Sequence, residues 1–262
     1  MNKVICACAC ACAGLLLSAA AAHAHFGMLV PSKSCVLDKK DQSIELTFAF
    51  AHPFEGKGMN LEIEKAQAFA GGKAQDILPS LKEKTVMGKK GAAASYKLAE
   101  PGVYAFAMTP KPYWEPAEDK FIIHYTKTLV AAFGEEEGWD EPLGLPVEIV
   151  PLTRPFANWA GCVFQGVVLH EGKPVAGCDV EVEHWNGSGP QRHEAPNDYF
   201  VTQVVKTDAN GVFTFAAPFA GWWGFAALVD GPKKIAHEGK DRDVELGGVL
   251  WTEFTAPAKA KR

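Results

Sequence analysis

Ile44-Glu45-Leu46-Thr47-Phe48-Ala49-Phe50 alternates with period two, the pattern of a strand with one face in a core. It runs straight into Ala51-His52-Pro53-Phe54-Glu55-Gly56-Lys57-Gly58. Pro53 and the glycines end the strand and leave His52 and Glu55 on a loop at its end. The same grammar recurs on both sides. Phe26-Gly27-Met28-Leu29-Val30-Pro31 reads as an extended entry strand, and Gly71-Gly72 suits a tight turn. Pro101-Gly102 turns the chain into the apolar run Val103 to Met108, and Asp119 to Val130 is another strand-rich stretch. Val147-Glu148-Ile149-Val150 is a short strand that closes a first unit. Between Pro110 and Pro116 three prolines surround Tyr113-Trp114. This predicts an irregular, rigid loop on the surface or over a pocket.

Beyond Leu152 to Trp159 the pattern becomes more regular. Cys162 to Leu169, Val175 to His184, Phe200 to Thr207, Val212 to Ala216, Gly221 to Val229 and Leu250 to Thr255 read as strands. Asp208-Ala209-Asn210-Gly211 reads as a hairpin turn, because Asn-Gly readily takes positive φ. No long run of helical period interrupts the series. The predicted fold is all-β, with two β-sandwich-like domains, the second immunoglobulin- or transthyretin-like. The predicted divisions are a signal peptide over 1–24, an N-terminal β domain over 25–151, a linker over 152–159, a C-terminal β-sandwich over 160–256 and a tail over 257–262.

The leader expectation rests on Lys3, an apolar run from Val4 to Ala22 and the small-x-small site Ala22-His23-Ala24. It implies export to the periplasm and leaves no membrane-spanning segment in the processed chain. With a formal net charge of -5 over 262 residues and no basic block, the chain is a poor candidate for nucleic-acid binding. Cys6, Cys8, Cys10 and Cys12 lie in the leader, leaving Cys35, Cys162 and Cys178. Export permits a disulfide, and Cys162 with Cys178, flanking one expected hairpin, is the favoured pair.

A cut after Ala24 would begin the processed chain with His25. Its amine and imidazole could then chelate a metal together, and imidazole suits zinc, copper, nickel and cobalt. His52, at a strand end, and His124, in Phe121-Ile122-Ile123-His124, are the natural additional ligands. Glu55, Glu115 and Asp119 are candidate supports that orient an imidazole. Each histidine also has a plain reading, as a terminal residue, a backbone-bonded loop histidine and a satisfied strand histidine. His184 and His193 form a second cluster, which a solvated polar loop over Asn186 to Asn197 explains. Tyr113, Trp114, Trp222 and Trp223 are either a sugar-binding platform or packed aromatics. Nothing resembles a Gly-rich phosphate loop, a Ser elbow or a Cys-x-x-Cys pair.

Several motifs resemble the periplasmic component attached to bacterial cobalt/nickel uptake systems. They are His25-Phe26-Gly27-Met28, His52-Pro53-Phe54-Glu55-Gly56, Pro112-Tyr113-Trp114-Glu115-Pro116, Phe121-Ile122-Ile123-His124-Tyr125, Pro151-Leu152-Thr153-Arg154-Pro155, and Asn210-Gly211-Val212-Phe213-Thr214 with Gly221-Trp222-Trp223-Gly224. The resemblance implies a non-enzymatic, exported two-domain β protein. It would assist nickel or cobalt uptake beside a membrane importer of the energy-coupling type, with Ni²⁺ or Co²⁺ held by His25, His52 and His124. An amine-plus-imidazole chelate with a further histidine also resembles a copper histidine brace, so a copper carrier or copper enzyme is one alternative, and Zn²⁺ is a further possible ion. A metal-free carbohydrate- or protein-binding module is the other alternative.

Overall fold

The computed structural model describes residues 24–258. The expected leader, up to residue 23, and the end of the tail, 259–262, lie outside the described residues.

The first unit contains β1 (Phe26–Pro31), β2 (Cys35–Val36), β3 (Ser43–His52), β4 (Lys57–Met59), β5 (Ile63–Ala70), β6 (Lys73–Asp76), β7 (Lys82–Val86) and β8 (Lys89–Lys97). It continues with β9 (Gly102–Pro110), β10 (Tyr113–Glu115) and β11 (Lys120–Ala132). Then follow β12 (Val147–Pro151), β13 (Asn158–Trp159), β14 (Val163–His170), β15 (Lys173–Pro174) and β16 (Asp179–His184). The last strands are β17 (Gln203–Lys206), β18 (Val212–Ala216), β19 (Gly221–Asp230), β20 (Ile235–His237) and β21 (Lys240–Thr255). The helical elements among the described residues are three single 3₁₀ turns, so the protein is all-β.

Three sheets arrange these strands as two sandwiches with a common layer. One sheet has the order β1-β3-β8-β7, with β4 on β3. The large sheet runs β17-β16-β19-β21-β11-β9-β5-β6, and the third runs β12-β14-β15 with β18 on β14. The first sheet packs on the β9 and β5 part of the large sheet through Leu46, Phe48, Phe106, Met108 and Val130. The third sheet packs on the β16, β19 and β21 part through Phe164, Val180, Phe213, Phe225 and Leu250.

The layer is continuous because β11 changes partners along its length. From Lys120 to Thr128 it pairs in parallel with β21, and from Leu129 to Ala132 it pairs antiparallel with β9. A third core joins the units: Phe26, Met28, Ala49 and Ala51 meet Trp222, Ala226, Val249 and Trp251. This cover explains why the alternation of β3 fades after Phe48, with Ala49, Phe50 and Ala51 all buried. Small alanines let the second face of β3 approach two tryptophans.

The expected linker region is tied into the fold. Phe156 is buried, and Asn158–Trp159 pairs in parallel with β21. β12, expected to close the first unit, pairs instead with β14 of the third sheet.

Three local expectations are corrected. Pro112 and Pro116 flank a short strand, since Tyr113–Glu115 keep their N–H groups and pair with Lys120–Ile122. The turn at 208–211 forms, with Gly211 at φ +78 and Asp208 Oδ1 accepting the N–H groups of Asn210 and Val212. It carries the chain between sheets, because β17 pairs with β16 whereas β18 pairs with β14. For the same reason Cys162 and Cys178 do not flank a hairpin: they enter different sheets, and Cys35, Cys162 and Cys178 are free thiols.

Candidate functional site

The antiparallel register of β1 and β3, Phe26 opposite Ala51, sets His25 beside His52 at one end of the first sheet. The rings lie 4.7 Å apart. β10, folded back on β11, brings Glu115 to the same point, where its Oε2 accepts from His25 Nε2 at 2.9 Å. Phe50 stacks on His25 at 5.7 Å and meets the His124 ring edge-on at 5.8 Å. The fold therefore gathers His25, His52, His124 and Glu115, which are far apart in sequence. It adds Tyr113, 4.9 Å from Phe50, and Glu118, 3.8 Å from His25 Nδ1. Sequence reasoning passed over Glu118 in favour of its neighbour. Asp119 takes a positive φ of 56 and turns outward to pair with Arg242. Glu55 pairs with Lys57 at 2.8 Å.

Proximity of rings is not convergence of donors. His25 Nε2 donates to Glu115, and His52 Nδ1 donates to the Ala24 carbonyl at 2.7 Å. His124 Nδ1 accepts from the Gly27 N–H at 3.2 Å, which places the His124 proton on Nε2. That nitrogen is buried without a hydrogen-bond partner. Burial, then the nearby His25 and Lys120, pushes the His124 pKa down to about 3, so the ring is neutral. Gly27 and Gly247 fit against it: a Cβ at Gly247 would lie 2.4 Å from His124 Cδ2. Among the described residues no group of three or more His, Cys, Asp or Glu side chains is placed to hold a metal ion. The expectation of bound Ni²⁺ or Co²⁺, or of Cu²⁺ or Zn²⁺, is thereby corrected: His25 Nε2 is committed to a carboxylate, His52 Nδ1 and His124 Nδ1 to backbone, and His124 Nε2 is sealed in the core.

The expected aromatic platform is also used internally. Trp222 and Trp223 are buried. Trp114 packs 4.2 Å from His237 and 5.1 Å from Phe121, with the Arg242 guanidinium 5.3 Å from its ring.

A second aromatic group, which shares Trp223 with the expected platform, does open to solvent. At the end of β16, beside β19, a cleft of about 440 Å³ is lined by Phe54, Phe200, Phe215, Phe219 and Trp223, with Gln203 and His184 as polar groups. His184 is wholly buried rather than solvated. Its ring lies 4.8 Å from Phe219 and 5.1 Å from Trp223, and His193 stacks on Phe219 at 3.7 Å. Neither His184 nitrogen makes a hydrogen bond of acceptable geometry. Burial, then His193, pushes its pKa down to about 4, with the Ala220 backbone opposing. Behind the cleft, Glu183 ties two walls together: its carboxylate accepts from the Phe54 N–H at 3.2 Å and the Thr202 hydroxyl at 2.5 Å. The polar composition of 186–197 hid this cleft, because its floor comes from residues 215–223 and its rim from Phe54, far earlier in the chain.

A family model described as "Domain of unknown function (DUF4198)" matches residues 22–231. The chain belongs to that family. No curated protein matches it. Among solved structures, it is similar to the D0-D1 domain of intimin at 14% identity, covering 88% of this chain and 100% of that one with a TM-score of 0.24. It is also similar to Clostridium thermocellum CbhA fibronectin(III)-like modules at 9% identity, covering 85% and 95% with a TM-score of 0.19.

Proposed function

We propose that this protein is an exported, non-enzymatic recognition module that captures a ligand without a metal, in the aromatic cleft between β16, β19 and the 198–203 segment. One observation carries the reading: five aromatic side chains and the polar Gln203 converge on an open cavity of about 440 Å³, with the buried His184 ring beneath it, within the range of small-ligand sites. The strut from Glu183 to both Phe54 and Thr202 supports it, because walls held in place before binding lose less entropy on binding. The resemblance to uptake components supplies a setting, beside a membrane importer that receives the captured ligand.

The test is a panel of defined glycans and peptides titrated into isotope-labelled protein, followed by backbone amide shifts. Shifts confined to Phe54, Gln203, Phe215 and Trp223 support the reading. Shifts centred on His25, His52 and Glu115 move the site, and a panel that perturbs neither region overturns it. Tyr199 and Val204, 89% and 57% exposed beside the cleft on and near the outer strand β17, favour a protein partner as the second reading.

A further inference from the structure

We infer that the cleft takes an uncharged, hydroxylated ring, a neutral pyranose of a free sugar or glycan end. This rests on the reading of the cleft as the capture site. The lining contains no Asp, Glu, Lys or Arg. A charged ligand would lose its hydration there without gaining a counter-charge, which is costly. An entirely apolar ligand fits no better. It would cover the Gln203 side chain, the polar group at the surface of the cleft, with nothing to bond. The Gln203 amide nitrogen already donates to the Tyr199 carbonyl at 3.2 Å, which leaves its amide oxygen as the group to be met. Leaving such a group buried and unmet costs more than exchanging its water for a partner.

A hydroxyl group both donates and accepts. It complements an amide oxygen, which accepts. The C–H face of a saturated ring gives the surrounding phenyl and indole faces an apolar surface to cover. The pyranose is the ligand class that meets the apolar and polar requirements together. Phe200, 54% exposed at the mouth, closes over the ring, and Gln203 sets its orientation.

The experiment is calorimetric titration of the full chain with methyl glycosides of neutral hexoses and of N-acetylhexosamine, a short neutral oligosaccharide, a uronic acid and a simple phenol. Phe200→Ala and Gln203→Leu are compared with the parent, each checked for an unchanged thermal transition, since both positions lie at the surface of the cleft. A neutral glycoside binds, the matching uronic acid binds at least about tenfold more weakly, and each variant weakens the neutral glycoside by about tenfold. Equal or tighter binding of the uronic acid overturns the inference, as does glycoside binding untouched by both variants, or no glycoside binding at all. Binding of the phenol or a peptide alone, lost in both variants, overturns the sugar class and leaves the capture site standing. Absence of any probe at the cleft removes both.

Discussion

Lys127 Nζ lies 2.5 Å from Glu148 Oε1, with both side chains only 2% exposed. The pair joins β11 of the shared sheet to β12 of the third sheet. Glu148 also accepts the backbone N–H groups of Leu143, Gly144 and Leu145 at 2.7, 2.9 and 3.2 Å. Burial draws the Lys127 pKa down and the Glu148 charge opposes this. Removing one partner leaves the other charge buried, so Lys127→Met is expected to cost about 3–5 kcal/mol in denaturant unfolding. In Lys127→Met/Glu148→Gln the remaining charge is gone while an acceptor for the loop stays. The double variant is therefore expected to be more stable than the single one; equal stability would mean the loss is packing rather than charge.

The glycines around His124 make a second, independent test. A Cβ at Gly247 would strike the His124 ring at 2.4 Å, and one at Gly27 would lie 2.3 Å from Thr126 Oγ1 and 2.9 Å from His124 Cβ. Gly247→Ala is expected to destabilise by about 1–3 kcal/mol through overpacking. In a His124→Ala background most of that penalty disappears. The coupling is read from a double-mutant cycle, and strict additivity would contradict the contact.

Stability against pH is expected to fall on both sides of a maximum, for separate reasons. The His124 and His184 pKa values are depressed, to about 3 and about 4. The unfolded chain therefore binds more protons below the ordinary histidine value of about 6.5. Their contribution is present above that value and is lost as pH falls toward 4 and 3. Glu181 and Glu183 are raised, to about 7 and about 8, chiefly by burial. Their contribution is present below the ordinary carboxylate value and lost as pH rises through 7 and 8. Glu183→Gln is expected to flatten the alkaline side in a series of thermal melts and leave the acid side unchanged.

The three thiols are expected to differ in reactivity. Cys35 and Cys162 are exposed, whereas Cys178 is buried with its pKa pushed up to about 11 by burial. A thiolate is the reactive form. Brief alkylation of native protein followed by mass spectrometry is expected to label Cys35 and Cys162 and to reach Cys178 only after unfolding. Protection of Cys162 together with Cys178 would instead indicate a bridge.

Much of the strand content was legible. The alternation of 44–50 marks β3, the Gly71-Gly72 turn joins β5 to β6 with both glycines at positive φ, and Asn210-Gly211 marks a true turn. These features are local: side-chain period and backbone sterics act within a few residues. What a turn connects is not local. Asn210-Gly211 can close a hairpin or pass the chain between sheets, and the choice depends on β16 and β14, the strands already waiting on either side.

The site divides along the same line. The sequence by itself determined an all-β chain, the histidines at a strand start, a strand end and a strand interior, and an aromatic content large enough to fill a core or floor a cleft. Only the tertiary structure decided that His25, His52 and His124 are neighbours whose nitrogens face different partners, and that Trp222 and Trp223 are packed. It alone decided that Phe54, Phe200, Phe215 and Phe219 meet around His184. Residue type and spacing fix what a side chain can bond to; the direction of its lone pair or ring face is set by long-range strand pairing, where β11 joins β21 from the far end of the chain.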